Sequence, residues 1–161
     1  MYDFIVFVIV VAVAVAQAFR GFGHALYDIA ALYVALTIST NLSGWLAVRI
    51  HFTPGAAPNE AVSFAVLFVL FGGGLLVLAH VFHNIAGLSL DPMDAVAGAI
   101  LGFFSGIIIA HAFVQFLVIH SGAVATGPLP VQIQNTTLSK EVYTFEGFKA
   151  IMARLKPGSN P

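Results

Sequence analysis

The sequence lacks cysteine and has few charged residues. None of its 161 residues is cysteine, which excludes a disulfide framework, a haem-attachment pair and a thiolate metal site. Only 8% of the residues are charged, whereas a soluble domain has about 25%. The net charge is −1 and no basic patch is present, so no electrostatic footprint for nucleic acid exists. A soluble globule of this length would need more polar groups to cover its surface.

Long apolar runs take the place of the missing charge. The mean hydropathy is +0.99 and 60% of the residues are hydrophobic. Crossing the hydrocarbon of a bilayer takes about 20 predominantly apolar residues. Three uncharged runs reach this length and a fourth nearly does, so the sequence predicts an all-α integral membrane protein with four transmembrane helices. The runs cover residues 4–19, 29–48, 61–90 and 95–139.

Turn residues divide the predicted transmembrane domain, residues 1–120, into its helices. Glycine and proline mark turns near 20–23, 49–60 and 87–92. The fourth helix has a recognisable start, with Asp91 expected as the N-cap, Pro92 as the first helical residue and Asp94 as the third. The acidic start Met1-Tyr2-Asp3 is unlike a signal peptide, so we expect the first helix to be retained. The predicted helices span residues 2–19, 24–48, 59–84 and about 92–120.

The last part of the chain differs from the spans. Residues 121–137 are predicted to be an uncharged loop, and 138–161 an amphipathic helix with a tail. This helix is too charged to cross a bilayer. We expect it to lie on the bilayer surface in preference to docking on a partner. Its apolar positions recur at steps of three and four: Leu138, Val142, Phe145, Phe148, Met152 and Leu155.

Glycine recurs at every fourth position of the fourth span, at Gly98, Gly102 and Gly106. Small residues on one face of a membrane helix let another backbone approach closely. Gly72, Gly73 and Gly74 of the third span fall at a similar depth. We therefore hypothesise that helices 3 and 4 cross near Gly73 and Gly106. The alternative is that the stripe binds another subunit.

Two charges flank the first turn. Arg20 ends the first helix and Asp28 lies just over one turn into the second, on the same side of the membrane. An ion pair between them would lower the cost of placing Asp28 near hydrocarbon. The alternative interpretation is that Asp28 is a proton or cation site.

The histidines suggest a metal site, but their surroundings do not support one. His80 and His83 could share a helix face and recruit His24, yet no cysteine or glutamate joins them. We predict no metal and no cofactor. His111 and Gln115 are expected to bond to the polar cluster at residues 37–43. Since no paired carboxylates, phosphate loop or nucleophile motif is present, we predict no enzyme activity.

Three stretches together resemble the colicin V production protein family (CvpA). "FRGFGHAL" at 19–26 is similar to the family's turn between helices 1 and 2, onto which Arg20 and Gly21 match. "GLSLDPMDAVAGAILGFFSG" at 87–106 is similar to its aspartate followed by spaced glycines, and Asp94 matches. "LSKEVY" at 138–143 is similar to its C-terminal segment. Ala95 and Ser105 stand where the family has arginines, so this chain lacks those two charges.

The resemblance implies a multi-pass protein of the bacterial inner membrane, linked to colicin V production and export and to envelope homeostasis. It also implies that the termini lie outside; within range of the positive-inside rule, Arg20 and Arg49 balance each other. We expect a scaffold or accessory protein that acts through helix packing, as a homo-oligomer or part of a larger membrane complex. One alternative is a small channel or transporter subunit that uses Asp28, His80, His83 and the polar face of helix 2. The other is a structural subunit of a larger membrane complex.

Overall fold

The computed structural model describes residues 1–122 and 130–145. These residues form helices joined by turns and loops, and no strand is found among them. Within this part of the chain, four helices are long and apolar enough to cross a membrane, which confirms the predicted all-α fold with four transmembrane helices. The helices are α1 (Tyr2–Arg20), α2 (Phe22–Arg49), α3 (Ala56–Ala86), α4 (Asp94–His120), α5 (Val131–Gln134) and α6 (Thr137–Thr144).

The four long helices pack as two linked pairs. The most extensive contacts join α1 to α4 and α2 to α3, and α2 also packs on α4. Because successive spans alternate in direction, the α1–α2 turn and the α3–α4 loop lie at one end of the bundle. The chain start, the α2–α3 loop and α6 lie at the other end.

The turn between α1 and α2 consists of one residue, Gly21. Its φ of 84° is in the left-handed region that favours glycine. Gly21 donates its N–H to the Gln17 carbonyl, and α2 begins at the next residue. Such a short turn holds the two charges on either side of it close together.

The start of α4 differs from its prediction. The helix begins at Asp94 with Met93 as its N-cap, and no side chain caps it. Asp91 is therefore not the N-cap and Pro92 is not helical. The Asp94 carboxylate instead accepts a hydrogen bond from the Leu90 N–H at 3.1 Å. Asp94 thus serves the loop and the neighbouring turn rather than the first turn of its own helix.

The described part of the chain does not show the amphipathic helix predicted for residues 138–161. α6 ends at Thr144, since Phe145 has a φ of 54° and lies in the left-handed region. Ser139 and Val142 of α6 are buried, so this part of the chain docks on α1 and α4. Phe148, Met152 and Leu155 lie outside the described residues.

A carboxylate at the start of α1 holds α6 in place. Asp3 accepts hydrogen bonds from the Thr137 N–H at 3.1 Å and from the Ser139 N–H and hydroxyl at 2.8 Å each. His111 of α4 donates through Nδ1 to the Val142 carbonyl at 3.0 Å. The first span therefore anchors the last described helix.

His111 also stacks on Tyr143, with ring centroids 5.5 Å apart. Burial raises the pKa of the Tyr143 phenol. An apolar core lies beneath these contacts, formed by Val6, Val10, Ala110, Val114, Val118, Ile133 and Val142.

Replacing Asp3 by alanine should loosen α6 without unfolding the spans. Three donors would lose their charged acceptor, and a hydrogen bond to a charged group is worth about 1.5–3 kcal/mol. We expect amide hydrogen exchange across residues 137–144 to become at least about tenfold faster. Asp91→Ala, which removes a carboxylate at the other end of the bundle, is the matched control. Unchanged exchange in Asp3→Ala would contradict the anchoring role.

Candidate functional site at the α1–α2 turn and the α1–α4 interface

The glycine stripe of α4 lies against α1 of the same chain. A Cβ atom at Gly102 would lie 2.9 Å from the Ala14 Cα, and one at Gly106 would lie 2.8 Å from the Val10 Cα. Real Cβ contacts are not this short. The two backbones therefore approach closely because α4 carries no side chain at these positions.

The stripe continues to the turn between α1 and α2. A Cβ atom at Gly98 would lie 2.6 Å from the Gln17 carbonyl oxygen and 2.9 Å from the Gly21 carbonyl carbon. At Gly21, a side chain would collide with the Asp94 carboxylate. Gly98 and Gly21 thus let the start of α4 fit against the end of α1.

The predicted crossing of α3 and α4 near Gly73 and Gly106 is wrong. Gly106 faces α1, while a Cβ atom at Gly73 or Gly74 would meet nothing within 4 Å. Gly72 is buried against α2, where a Cβ atom would lie 3.9 Å from the Ala35 Cβ. The glycines of α3 therefore take no part in the α1–α4 interface.

Asp94 joins the α3–α4 loop to the α1–α2 turn. Besides the Leu90 N–H, its Oδ1 accepts a hydrogen bond from the Phe22 N–H at 3.1 Å. Phe22 is the first residue of α2, so a negative charge lies at the positive end of that helix. One carboxylate thereby connects two segments that are far apart in sequence.

Asp28 lies inside the bundle, with 1% of its surface exposed. Its Oδ2 accepts hydrogen bonds from Arg20 Nη1 at 2.5 Å and from Gln17 Nε2 at 2.6 Å. The predicted ion pair between Arg20 and Asp28 is therefore present. Two donors from α1 hold the carboxylate of α2, and this replaces the water that an isolated buried charge would require.

Gln17 is the residue of this cluster that the sequence analysis missed. It is 5% exposed, and its side chain packs on Gly102 while its amide reaches Asp28. Its Oε1 is buried without a hydrogen-bond partner in the described part of the chain. The sequence does contain a signal for this role, because Gln17 is the single polar residue of the uncharged run 4–19 and lies three positions before Arg20. A polar side chain in a membrane helix generally marks a contact with another helix.

Three histidine rings lie in contact near the turn between α1 and α2. The His24 ring lies 3.5 Å from that of His83 and 5.5 Å from that of His80, measured between centroids. Gly23 makes room for this contact, since a Cβ atom there would lie 2.6 Å from the His83 ring. Among residues 1–122 and 130–145, no group of three histidine, cysteine or acidic side chains is arranged to hold a metal ion.

One of the two side chains that were expected to bond to the polar cluster at residues 37–43 does so. Gln115 donates to the Thr40 hydroxyl at 3.1 Å, as predicted. His111 bonds to Val142 of α6 instead. Several hydroxyl and amide groups of α2 donate hydrogen bonds to backbone carbonyls one turn earlier in the same helix. The Ser39 hydroxyl, for example, donates to the Ala35 carbonyl at 2.7 Å.

The structure therefore brings most of the singled-out residues into one continuous region at the α1–α2 turn and along α1–α4. This region contains Arg20, Gly21, Asp28, Asp94, Gly98, Gly102 and Gly106, together with Gln17.

Adding one methyl group at Gly106 should destabilise the bundle, whereas adding one at Gly73 should not. The Gly106→Ala methyl would meet Val10 backbone, which cannot rotate away, and overpacking costs about 1–3 kcal/mol. The Gly73→Ala methyl would enter open space. Thermal unfolding of the two purified variants in the same detergent compares them directly. Equal unfolding temperatures would contradict the close approach of α1 and α4.

Replacing Arg20 by methionine should destabilise the chain by about 1–3 kcal/mol, because a buried carboxylate loses its charged donor. Adding Asp28→Asn should restore part of this loss, since no charge then remains unpaired. A double-mutant cycle on unfolding free energies measures the coupling. Additive effects of the two substitutions would show that the pair contributes nothing.

A family model described as colicin V production protein matches residues 2–145. No curated protein and no solved structure matches the chain. The match covers α1 to α6, including every residue of the site. The chain is thus a multi-pass membrane protein that belongs to the colicin V production protein family and has a role in colicin V production.

Proposed function

We propose that this chain is a scaffold or accessory protein for colicin V production and export, located in the bacterial inner membrane and linked to envelope homeostasis. It acts by packing against other membrane proteins and carries out no catalysis. The partner is a second copy of the chain or a subunit of a larger membrane complex.

The outer face of α3 carries this proposal. Val69, Leu70 and Val77 are 72%, 63% and 65% exposed. Gly73 and Gly74 lie on the same face and are exposed, with open space where a side chain would be. Small residues flanked by apolar ones allow a second membrane helix to pack closely. No described residue covers this face, because α3 packs on α2 through its opposite side.

The glycines of α4 are a less suitable partner surface. Gly98, Gly102 and Gly106 are buried against α1 of the same chain. A partner helix could reach them only by displacing α1. In this proposal α4 organises the bundle and α3 presents the surface for association.

The state of Asp28 favours a scaffold over a channel. A transporting carboxylate must exchange partners with the transported ion, whereas Asp28 is 1% exposed and is held by Arg20 and Gln17. Its charge supports the bundle and is not presented to a pathway.

The experiment measures secreted colicin V activity from a producing strain that lacks this gene and carries a plasmid copy. Gly73→Leu combined with Gly74→Leu should lower secretion to about one tenth or less of wild type, since loss of one well-packed contact of about 1.4 kcal/mol changes association tenfold. Immunoblots of the membrane fraction should show normal protein levels. Asp28→Asn should retain most of the secretion.

Ala12→Leu combined with Ala16→Leu is the control, because these residues are exposed on α1 and the change likewise adds two leucine side chains to an exposed face of a span. It should leave secretion unchanged. Loss of secretion in Asp28→Asn at a normal protein level would favour the channel alternative. Full secretion in the α3 double variant would refute the proposed partner surface.

A further inference from the structure

A cavity of about 650 Å³ opens beside the loop that joins α2 to α3. Its polar lining comes from His51, Thr53, Asn59 and Glu60. Its apolar wall includes Val48 and the neighbouring residues of α2. The cavity lies at the opposite end of the bundle from Asp28 and Asp94, and no function assigned so far uses it.

Asn59 fixes the wall of this cavity. It is 3% exposed, and its Oδ1 accepts hydrogen bonds from the N–H groups of Phe52 at 2.7 Å and Thr53 at 3.3 Å. Its Nδ2 donates to the carbonyls of Ala47 at 2.7 Å and Ile50 at 2.9 Å. One buried amide thereby holds three positions of the loop backbone and one carbonyl in the last turn of α2. The cavity is preformed, so a ligand would not have to order the loop.

The Glu60 carboxylate is a partly exposed acceptor in the cavity. Within residues 1–122 and 130–145, no group donates a hydrogen bond to it. The Glu60 Oε1 lies 3.6 Å from the place of a Cβ at Gly44. The missing side chain at Gly44 therefore leaves space in front of the carboxylate. A carboxylate that faces open space suits a cation that carries N–H donors.

The cavity lies at the level of the lipid headgroups. Trp45 is 61% exposed, and the Arg49 guanidinium lies 5.7 Å from the centre of its ring. Tryptophan and basic residues at the end of a span are typical of the membrane–water interface. The most abundant molecules at this depth are phospholipids, whose headgroups present phosphate and, in some classes, an ammonium group.

We propose that this cavity binds the headgroup of an aminophospholipid, phosphatidylethanolamine. Its primary ammonium donates to the Glu60 carboxylate. A choline headgroup has no N–H to donate, and a glycerol headgroup has no cation, so both bind more weakly.

Native mass spectrometry of the full chain in detergent tests the proposal. The protein is titrated with phosphatidylethanolamine, phosphatidylcholine and phosphatidylglycerol of identical acyl chains. Wild type should bind phosphatidylethanolamine most tightly. Glu60→Gln should weaken this binding about tenfold, the effect of losing one charge-assisted hydrogen bond, and leave the other two lipids unchanged.

Two further variants separate the site from general charge and from folding. Asp91→Asn makes the same change of charge in the exposed loop at the other end of the bundle and should have no effect. Gly44→Leu fills the space in front of the carboxylate and should weaken phosphatidylethanolamine as Glu60→Gln does. If Glu60→Gln lowers the unfolding temperature, Gly44→Leu alone decides the outcome.

The proposal fails if wild type shows no preference for phosphatidylethanolamine, or if the deciding variant keeps that preference. It also fails if Asp91→Asn weakens binding equally. A soluble competitor, glycerophosphoethanolamine, separates the two sources of the headgroup. Displacement of the lipid at equal concentration would assign the cavity to a soluble amine and overturn the assignment to a lipid.

Discussion

In a bilayer no hydrophobic force draws two apolar helices together, because lipid tails are as apolar as the side chains. α1 and α4 therefore depend on the close approach that Gly98, Gly102 and Gly106 allow along their whole contact. This approach sets the position of the polar groups as well. Gln17 of α1 packs on Gly102 of α4 and donates to Asp28 of α2, so one side chain contacts both neighbouring helices. Dispersion contacts and the buried ion pair thus stabilise one another.

Each end of the bundle has its own carboxylate that connects distant parts of the chain. At one end Asp94 links α2 to the loop before α4, and at the other Asp3 links α1 to α6. Both accept backbone N–H groups, which hydrocarbon cannot satisfy. The structure places these charges at the helix ends, where water or headgroups lower their cost. Asp28 lies deeper than these two carboxylates, and it has two side-chain donors.

The sequence predicts the spans, the turns, the Arg20–Asp28 pair and the importance of the α4 glycines, because each depends on short-range spacing or on hydropathy. It does not predict which helix the glycines meet. α1 and α3 run in the same direction and both are antiparallel to α4, so an argument from depth cannot choose between them. Asp94 has the spacing of a capping residue, yet contacts with the α1–α2 turn decide its partner. The contacts of Gln17 could be predicted only with the knowledge that α1 faces both α2 and α4.

The two positions where this chain departs from the family pattern lie in different surroundings. Ala95 is exposed near the membrane boundary, so a missing charge there changes only the surface. Ser105 is 0% exposed, and an arginine would not fit there without moving the neighbouring helices. With neither arginine present, Arg20 is the one arginine or lysine on the described α1–α2 and α3–α4 end of the bundle. The buried charge of Asp28 therefore depends on Arg20, and this dependence places the ion pair, rather than the glycines alone, at the centre of the fold.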